Sequence, residues 1–177
     1  MLASGWQDLI GTTVAQRYLL RNLVSASSLQ AEFTGVSNDE NSTPVSVALI
    51  EVEAGEAESE LAAVNRAKEL QHPNLLRVMD GGEFTVQDSH VLFIVTEPAH
   101  GTLAEASQPD LRELLDDVLT ALEGLHSKNL VYRNLDAETV VRAGDHDTCL
   151  GTMLVQVGAE TGVEGDFAVI FRGMKEP

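Results

Sequence analysis

Residues 121–141, ALEGLHSKNLVYRNLDAETVV, join the end of a predicted helix to short β-like segments. The helix is predicted from Pro109 to about Ser127, because its apolar residues recur at intervals of three, four and one. Its apolar stripe consists of Leu111, Leu114, Leu115, Val118, Leu119, Leu122 and Leu125. Ser107 fits the N-cap of this helix, and Pro109 fits its first turn. A stripe of this kind must be buried, so the helix is predicted to have a covering layer.

Strand-like segments lie on both sides of this helix. Before it, alternating or β-branched residues predict strands at Tyr18–Val24, Leu29–Val36, Val45–Val52, Leu75–Phe84 and His90–Thr96. A shorter helix is predicted over Leu61–Leu70 from its apolar spacing. After the long helix, the β-like segments are Leu130–Tyr132, Thr139–Arg142, Thr148–Val157 and Asp166–Arg172. This order predicts an α+β fold with a predominantly antiparallel sheet.

The segment 121–141 resembles the end of the long C-lobe helix and the catalytic loop of protein kinases. Other segments follow in the order of that family: YLLRNLVSASSLQAEFTG (18–35), VSVALIEV (45–52), HPNLLRVMDGG (72–82) and VLFIVTEPAHGTL (91–103). Ile10-Gly11-Thr12 is similar to the lead-in of bacterial Ser/Thr kinases. The resemblance covers about residues 10–151.

This resemblance implies a kinase-like N-lobe over residues 1–97, with a five-stranded antiparallel sheet and one helix. It implies a truncated C-lobe over residues 98–177, with the long helix and short β hairpins, and both parts form one compact unit. A kinase continues past the position of Gly151 with further helices, whereas this chain ends at Pro177. The chain is therefore expected to be either a piece of a longer protein or a natural half-kinase. The tail Met153–Phe171 is expected to fold back over the long helix or to add to a sheet edge, and a second copy of the chain is the alternative cover.

The positions that bind ATP in kinases carry other residue types here. The glycines of the phosphate-binding loop correspond to Ser25, Ser27 and Gln30, and Gln30 would crowd a phosphate. The phosphate-binding Lys of the third strand corresponds to Ile50, and the Glu that pairs with it corresponds to Ala63. The resemblance therefore implies an apolar, occluded cleft and no cofactor.

The catalytic and metal-binding positions are changed as well. The catalytic base corresponds to Asn134, an amide that cannot accept a proton near neutral pH. The Asn that binds the second Mg²⁺ corresponds to Thr139, and the metal-binding Asp corresponds to Thr152. Asp145 and Asp147 are interpreted as turn residues rather than as a metal site. No metal is therefore expected.

Composition excludes several classes of function. The chain has 28 Asp+Glu against 11 Lys+Arg and a formal net charge of −17, which argues against nucleic acid and anionic lipid as partners. With 44% hydrophobic residues among its 177, the chain has enough apolar side chains for a core. No apolar run is long enough to span a membrane, and the N-terminus lacks the pattern of a signal peptide. The single cysteine, Cys149, fits a reducing cytoplasm.

The predicted function is that of a catalytically inactive pseudokinase, which acts as a protein-interaction, scaffolding or regulatory module without ordinary ATP–Mg²⁺ binding. Its acidity favours a protein partner with a basic segment, and a homodimer is a further option. The candidate surfaces are the helix Ala57–Leu70, the uncovered face of the long helix, and the C-terminal strand edge. One alternative is an atypical nucleotide-binding protein or weak Ser/Thr kinase. Another is an unrelated α+β binding domain.

Single residues outside these motifs receive structural interpretations. Trp6 is predicted to pack as an anchor, or else to contact a partner. His126 and Tyr132 are predicted to be structural residues. Arg133 is predicted to form a local ion pair, with a phosphate site as the alternative.

Overall fold

The computed structural model describes residues 5–52, 57–86, 89–103, 111–128, 130–132, 135, 140–143, 146–150 and 155–157. Its largest element is a six-stranded antiparallel sheet with the strand order β1-β2-β3-β4-β6-β5. The strands are β1 Thr13–Val14, β2 Tyr18–Ala26, β3 Gln30–Ser37, β4 Pro44–Glu51, β5 Val78–Val86 and β6 Ser89–Thr96. Helix α1, Ala57–Lys68, follows β4, and a short 3₁₀ turn, Trp6–Leu9, precedes β1.

The inner face of this sheet is a continuous apolar core. Side chains alternate between the two faces of a strand, so the register that pairs Phe33 with Val47, and Val47 with Val95, places all three on one face. All three side chains are fully buried, with 0% of their surface exposed. Trp6 and Leu9 of the 3₁₀ turn close one side of this core.

The outer face of the sheet packs against α1. Ile50, Leu92 and Ile94 of the sheet and Val64 of the helix form one buried apolar cluster. Gly81 in β5 permits this close approach, because a Cβ atom there would collide with the side chain of Val64.

The second half of the chain adds two small sheets and a second helix. Its elements are β7 Ala99–Thr102, α2 Leu111–His126, β8 Leu130–Tyr132, β9 Val140–Ala143, β10 His146–Leu150 and β11 Val155–Val157. The strands form a three-stranded sheet, β10-β9-β7, and a two-stranded sheet, β11-β8. The apolar stripe of α2 is buried against residues that follow it in the chain: Leu130, Tyr132, Leu135 and Val140.

The segment between α1 and β5 connects the two halves of the structure. Leu70 and Leu75 pack against the α2 cluster, and Leu76 packs with Val141 and Ala143 of β9. The ring of His72 lies against Gly124 of α2, where an added Cβ atom would be 3.1 Å from the imidazole. The long helix is therefore held to the rest of the chain through side-chain packing.

The predicted fold class is wrong. The structure is mostly β, with a nearly closed, barrel-like sheet of six strands instead of a five-stranded kinase N-lobe, and with two small sheets beside two α-helices within the described residues. The expected truncated lobe dominated by a long helix is not what the described residues form. Leu130 and Tyr132 bury the central stripe of that helix. Within the segment Met153–Phe171, Val155–Val157 is described and pairs with Leu130–Tyr132, so this part of the tail adds to a sheet edge as predicted. The predicted strand Asp166–Arg172 lies outside the described residues.

Individual strands and helices were more predictable than the fold. The strand predicted at Val45–Val52 is β4, and the helix predicted from Pro109 to Ser127 is α2. The predicted single segment Thr148–Val157 instead contributes to two strands, β10 and β11, in different sheets. The first strand, Thr13–Val14, was missed because two residues are too short for an alternation pattern.

Candidate functional site

The β2–β3 hairpin carries the three residues predicted to replace a phosphate-binding loop: Ser25, Ser27 and Gln30. Its tip is closed by a hydrogen bond of 2.8 Å from the Ser27 N–H to the Gln30 carbonyl. The Ser27 Oγ accepts longer hydrogen bonds from the N–H groups of Leu29, at 3.4 Å, and Gln30, at 3.3 Å. Three amides of the turn are therefore occupied within the turn itself.

Two contacts from outside the hairpin hold this turn in place. The Trp6 Nε1–H donates a hydrogen bond of 2.9 Å to the Ser27 carbonyl. The Glu51 N–H donates one of 2.7 Å to the Leu29 carbonyl. Anion-binding loops present free backbone N–H groups to a phosphate, whereas three N–H groups of this turn are already bonded within it. Trp6 is 7% exposed, in agreement with its predicted role as a packing anchor.

Ile50 and Ala63 lie in apolar surroundings. Ile50 is buried in the cluster with Val64 and Leu92, and Ala63 of α1 is 1% exposed. Neither side chain can bind a phosphate or form an ion pair. Glu60, one turn before Ala63, is also buried. Apolar side chains thus occupy both positions that resemble the Lys–Glu pair of an active kinase.

The remaining predicted catalytic positions, Asn134, Thr139 and Thr152, lie outside the described residues, as do Arg133 and Asp145. Tyr132 is buried against α2, as its predicted structural role requires. Within the described part of the chain, no group of three or more His, Cys, Asp or Glu residues could hold a metal ion.

Glu32 is a residue that the sequence analysis missed. It lies on the outer face of β3, paired with Ser25 of β2 and with Ala48 of β4, and Ala48 pairs in turn with Ile94. Ala48 and Ile94 pack in the α1 cluster, so the cover supplied by α1 reaches the strand beside Glu32. The Glu32 carboxylate is partly buried, and no hydrogen bond or ion pair joins it to another described residue. Burial raises the pKa of this carboxyl above its ordinary value.

The surface around Glu32 is polar and exposed. We call Asn22, Ser25, Gln30, Glu32 and Thr34 the outer polar face, since their strand positions place them beside one another and all but Glu32 are exposed. Asn22 donates a hydrogen bond of 3.0 Å to the Thr34 hydroxyl across the two strands. At the hairpin tip, Val24 and Leu29 expose 60% and 56% of their surface. The segment from Val24 to Ala31 contains no charged residue.

Asp80 is the second residue whose role only the structure shows. Its Oδ2 accepts hydrogen bonds from Tyr18 at 2.8 Å and from Arg17 at 3.0 Å, and its Oδ1 accepts one from Lys68 at 3.1 Å. Burial opposes the charge of this carboxylate, but the donors outweigh burial and hold its pKa below the ordinary value. The sequence placed Asp80 inside a predicted strand and showed none of these long-range partners.

The interaction surfaces predicted from sequence are only partly exposed to solvent. On α2, Leu114, Val118, Leu122 and Leu125 are all buried, so the expected uncovered face is wrong for this stripe. Leu119 remains 38% exposed at its border. Helix α1 packs one face on the sheet and presents the opposite face to solvent.

Comparison with known proteins places the chain in no family. No protein-family model matches it, and no curated protein matches it either. Among the described residues, no helix has the length and apolar character to cross a membrane.

Proposed function

We propose that this chain is a catalytically inactive protein-interaction module, with a pseudokinase-like sequence and without ordinary ATP–Mg²⁺ binding. The observation that carries the proposal is the closed Ser27–Gln30 turn, in which the N–H groups of Ser27, Leu29 and Gln30 bond within the turn. A nucleotide phosphate would have to break these bonds, in a turn whose conformation is also held by the hydrogen bonds from Trp6 and Glu51 to its carbonyls. The uncharged Ile50 supplies no compensating cation.

Charge supports the same proposal. A formal net charge of −17 repels a nucleoside triphosphate at long range. The Glu32 carboxylate, on the same hairpin as the closed turn, adds local repulsion. The same charge attracts a basic partner segment and opposes a homodimer, because two copies would repel each other. The single Cys149 supports a reducing, cytoplasmic setting for this interaction.

A thermal-shift titration with ATP and Mg²⁺ tests the proposal. ATP present at a hundred times its Kd would add about 2.7 kcal/mol to the free energy of unfolding. For a chain of this size that corresponds to roughly 5–11 °C in Tm. We expect no shift, and a shift of several degrees would establish the alternative, a nucleotide-binding protein. Light scattering on the same sample should show a monomer, and a dimer would restore the homodimer option.

A further inference from the structure

The outer polar face contains a carboxylate in an unfavourable position. Glu32 is partly buried beside Ala48, and the hydrogen bonds and ion pairs within the described structure do not include its carboxylate. Removing a charge from water without pairing it costs free energy, and the raised pKa of Glu32 has the same cause. The free chain thus carries a charge that a partner of opposite sign would stabilise.

The surroundings of Glu32 limit which ligand would be that partner. A phosphate group is repelled by the carboxylate, and three N–H groups of the nearby turn are already bonded within the turn. A metal ion would need several ligands, and the four other members of the outer polar face are neutral amides or hydroxyls. A second copy of the chain would bring a further net charge of −17. A cationic side chain needs one carboxylate, neutral acceptors around it, and apolar contacts for its alkyl stem.

The hairpin provides all three of these features. Ser25, Gln30 and Thr34 offer neutral acceptors near Glu32, and the exposed side chains of Leu29 and Val24 offer apolar contact. The contacts of Trp6 with Ser27 and of Glu51 with Leu29 hold the turn before any partner arrives, which lowers the entropic cost of binding.

We propose that the outer polar face is the docking surface of this module and that Glu32 receives a Lys or Arg side chain of the partner protein. This inference rests on the proposed protein-binding function and names the chemistry of the partner: a segment with a basic residue next to an apolar one. Glu32 is partly buried and has no hydrogen bond or ion pair with another described residue, because its counter-charge belongs to the partner.

A selection of short random peptides displayed on phage, with the purified full chain as bait, tests this proposal. We expect the enriched peptides to share a Lys or Arg beside an apolar residue. A synthetic enriched peptide should lose more than about tenfold in affinity for Glu32→Gln, as when one partner of a desolvated ion pair is removed. The matched control is Glu83→Gln, which removes an exposed carboxylate at the far edge of the same face of the sheet.

The thermal stability of the variants separates binding from folding. Glu32→Gln removes a charge that is unfavourable in the free chain, so its Tm should equal or exceed that of the natural chain while its binding is lost. Glu32→Lys should recover affinity for a peptide in which the basic residue is replaced by Glu.

Two kinds of result would overturn the inference. If the selection enriches no peptide, or peptides without Lys or Arg, the face does not receive a basic segment. If enriched basic peptides bind Glu32→Gln within twofold of the natural chain, they dock elsewhere, and the protein-binding function survives without this site. Failure of the proposed function itself would appear separately, as stabilisation by ATP and Mg²⁺.

Discussion

The Tyr18 hydroxyl donates a hydrogen bond of 2.8 Å to the Asp80 carboxylate, although β3, β4 and β6 lie between their strands in the sheet. In a flat sheet, strands separated in this way would be roughly 19 Å apart, at about 4.8 Å for each step. The two side chains cannot bridge that distance, so the sheet must curl until its edges approach each other. The Lys68–Asp80 ion pair adds the end of α1 to the same contact.

Replacement of Asp80 should weaken this closure. We expect Asp80→Asn to lower the free energy of unfolding by about 2 kcal/mol, since the bonds to Tyr18 and Lys68 lose their charged acceptor. The Arg17 pair should contribute little, because that side chain is 69% exposed. Urea unfolding measures the change. Asp116→Asn on the exposed side of α2 is the control, and an equal loss in both variants would contradict a specific role for Asp80.

The pH dependence of stability should carry two opposite signatures at acid pH. The pKa of Asp80 is lowered, so its contribution is present above the ordinary value of 3.8 and is lost as the pH falls below it. The pKa of Glu32 is raised, so stability increases as the pH falls towards the ordinary value of 4.5. Urea unfolding at a series of pH values should show Glu32→Gln removing only the second effect. A profile unchanged in that variant would argue against burial of the Glu32 charge.

Alkaline pH should test the Tyr18–Asp80 bond independently. Burial, the hydrogen bond to Asp80 and its negative charge raise the pKa of Tyr18 from 10.0 to about 12. A raised pKa contributes stability that is complete below 10.0 and is lost as the pH rises towards 12. Tyr18→Phe should remove this alkaline loss, and ultraviolet absorbance should show that the variant lacks a phenolate that forms late in the natural chain. Two tyrosines that titrate together near pH 10 would exclude the effect.

A lysine introduced at position 50 should not give the chain the ability to bind a nucleotide. Ile50→Lys places an ammonium group among Val64, Leu92 and Ile94, and we expect a loss of about 3 kcal/mol in the free energy of unfolding. Ile50→Leu keeps the apolar volume and should cost less than about 1.5 kcal/mol. Thermal unfolding with and without ATP and Mg²⁺ measures both quantities. A stable Ile50→Lys variant that binds ATP would contradict this prediction and would show that a single added charge is enough for nucleotide binding.

Substitutions in the turn between β1 and β2 should increase the free energy of unfolding. Ala15 and Gln16 have φ values of 49° and 56°, and the Arg17 N–H bonds to the Val14 carbonyl at 3.0 Å. Positive φ at both central residues and this hydrogen bond are features of a type I′ turn, which favours Asn-Gly. The double change Ala15→Asn with Gln16→Gly should stabilise the chain by about 1 kcal/mol, because left-handed backbone is unfavourable for Ala and Gln. Chemical denaturation measures the gain, and a loss would show that these side chains contribute more than their backbone strain costs.

The same turn shows why the fold class was mispredicted. Nothing in the residues Val14 to Arg17 signals a hairpin, since neither Gly nor Asn occupies the positions that require positive φ. The first strand and the closure of the sheet were therefore invisible to local patterns. The α2 stripe, by contrast, repeats over the whole helix, and its burial followed from spacing alone.

Some features of the candidate site could likewise be predicted from the sequence, and others could not. The absence of a Lys at position 50 and of glycines at Ser25, Ser27 and Gln30 could be read directly, because residue type alone decides whether a side chain carries charge or permits close approach. The internal hydrogen bonds of the turn could not be predicted from sequence, because they depend on the backbone conformation of the turn. That conformation is held in part by Trp6 and Glu51, which donate to the carbonyls of Ser27 and Leu29. In sequence, Glu32 is an ordinary polar residue of an alternating strand.

By itself, the sequence determined the strong acidity, the periodic helices and strands, and the uncharged residues at the positions that resemble a nucleotide site. These properties belong to single residues or to repeats within one element, so they can be established without knowledge of the fold. Only the tertiary structure decided that the sheet curls until Tyr18 meets Asp80. It also decided that Glu32 is partly buried with no hydrogen bond or ion pair to its carboxylate among the described residues. Both depend on which strands are neighbours and on how far a sheet twists, and those are collective properties of packing between residues distant in the chain.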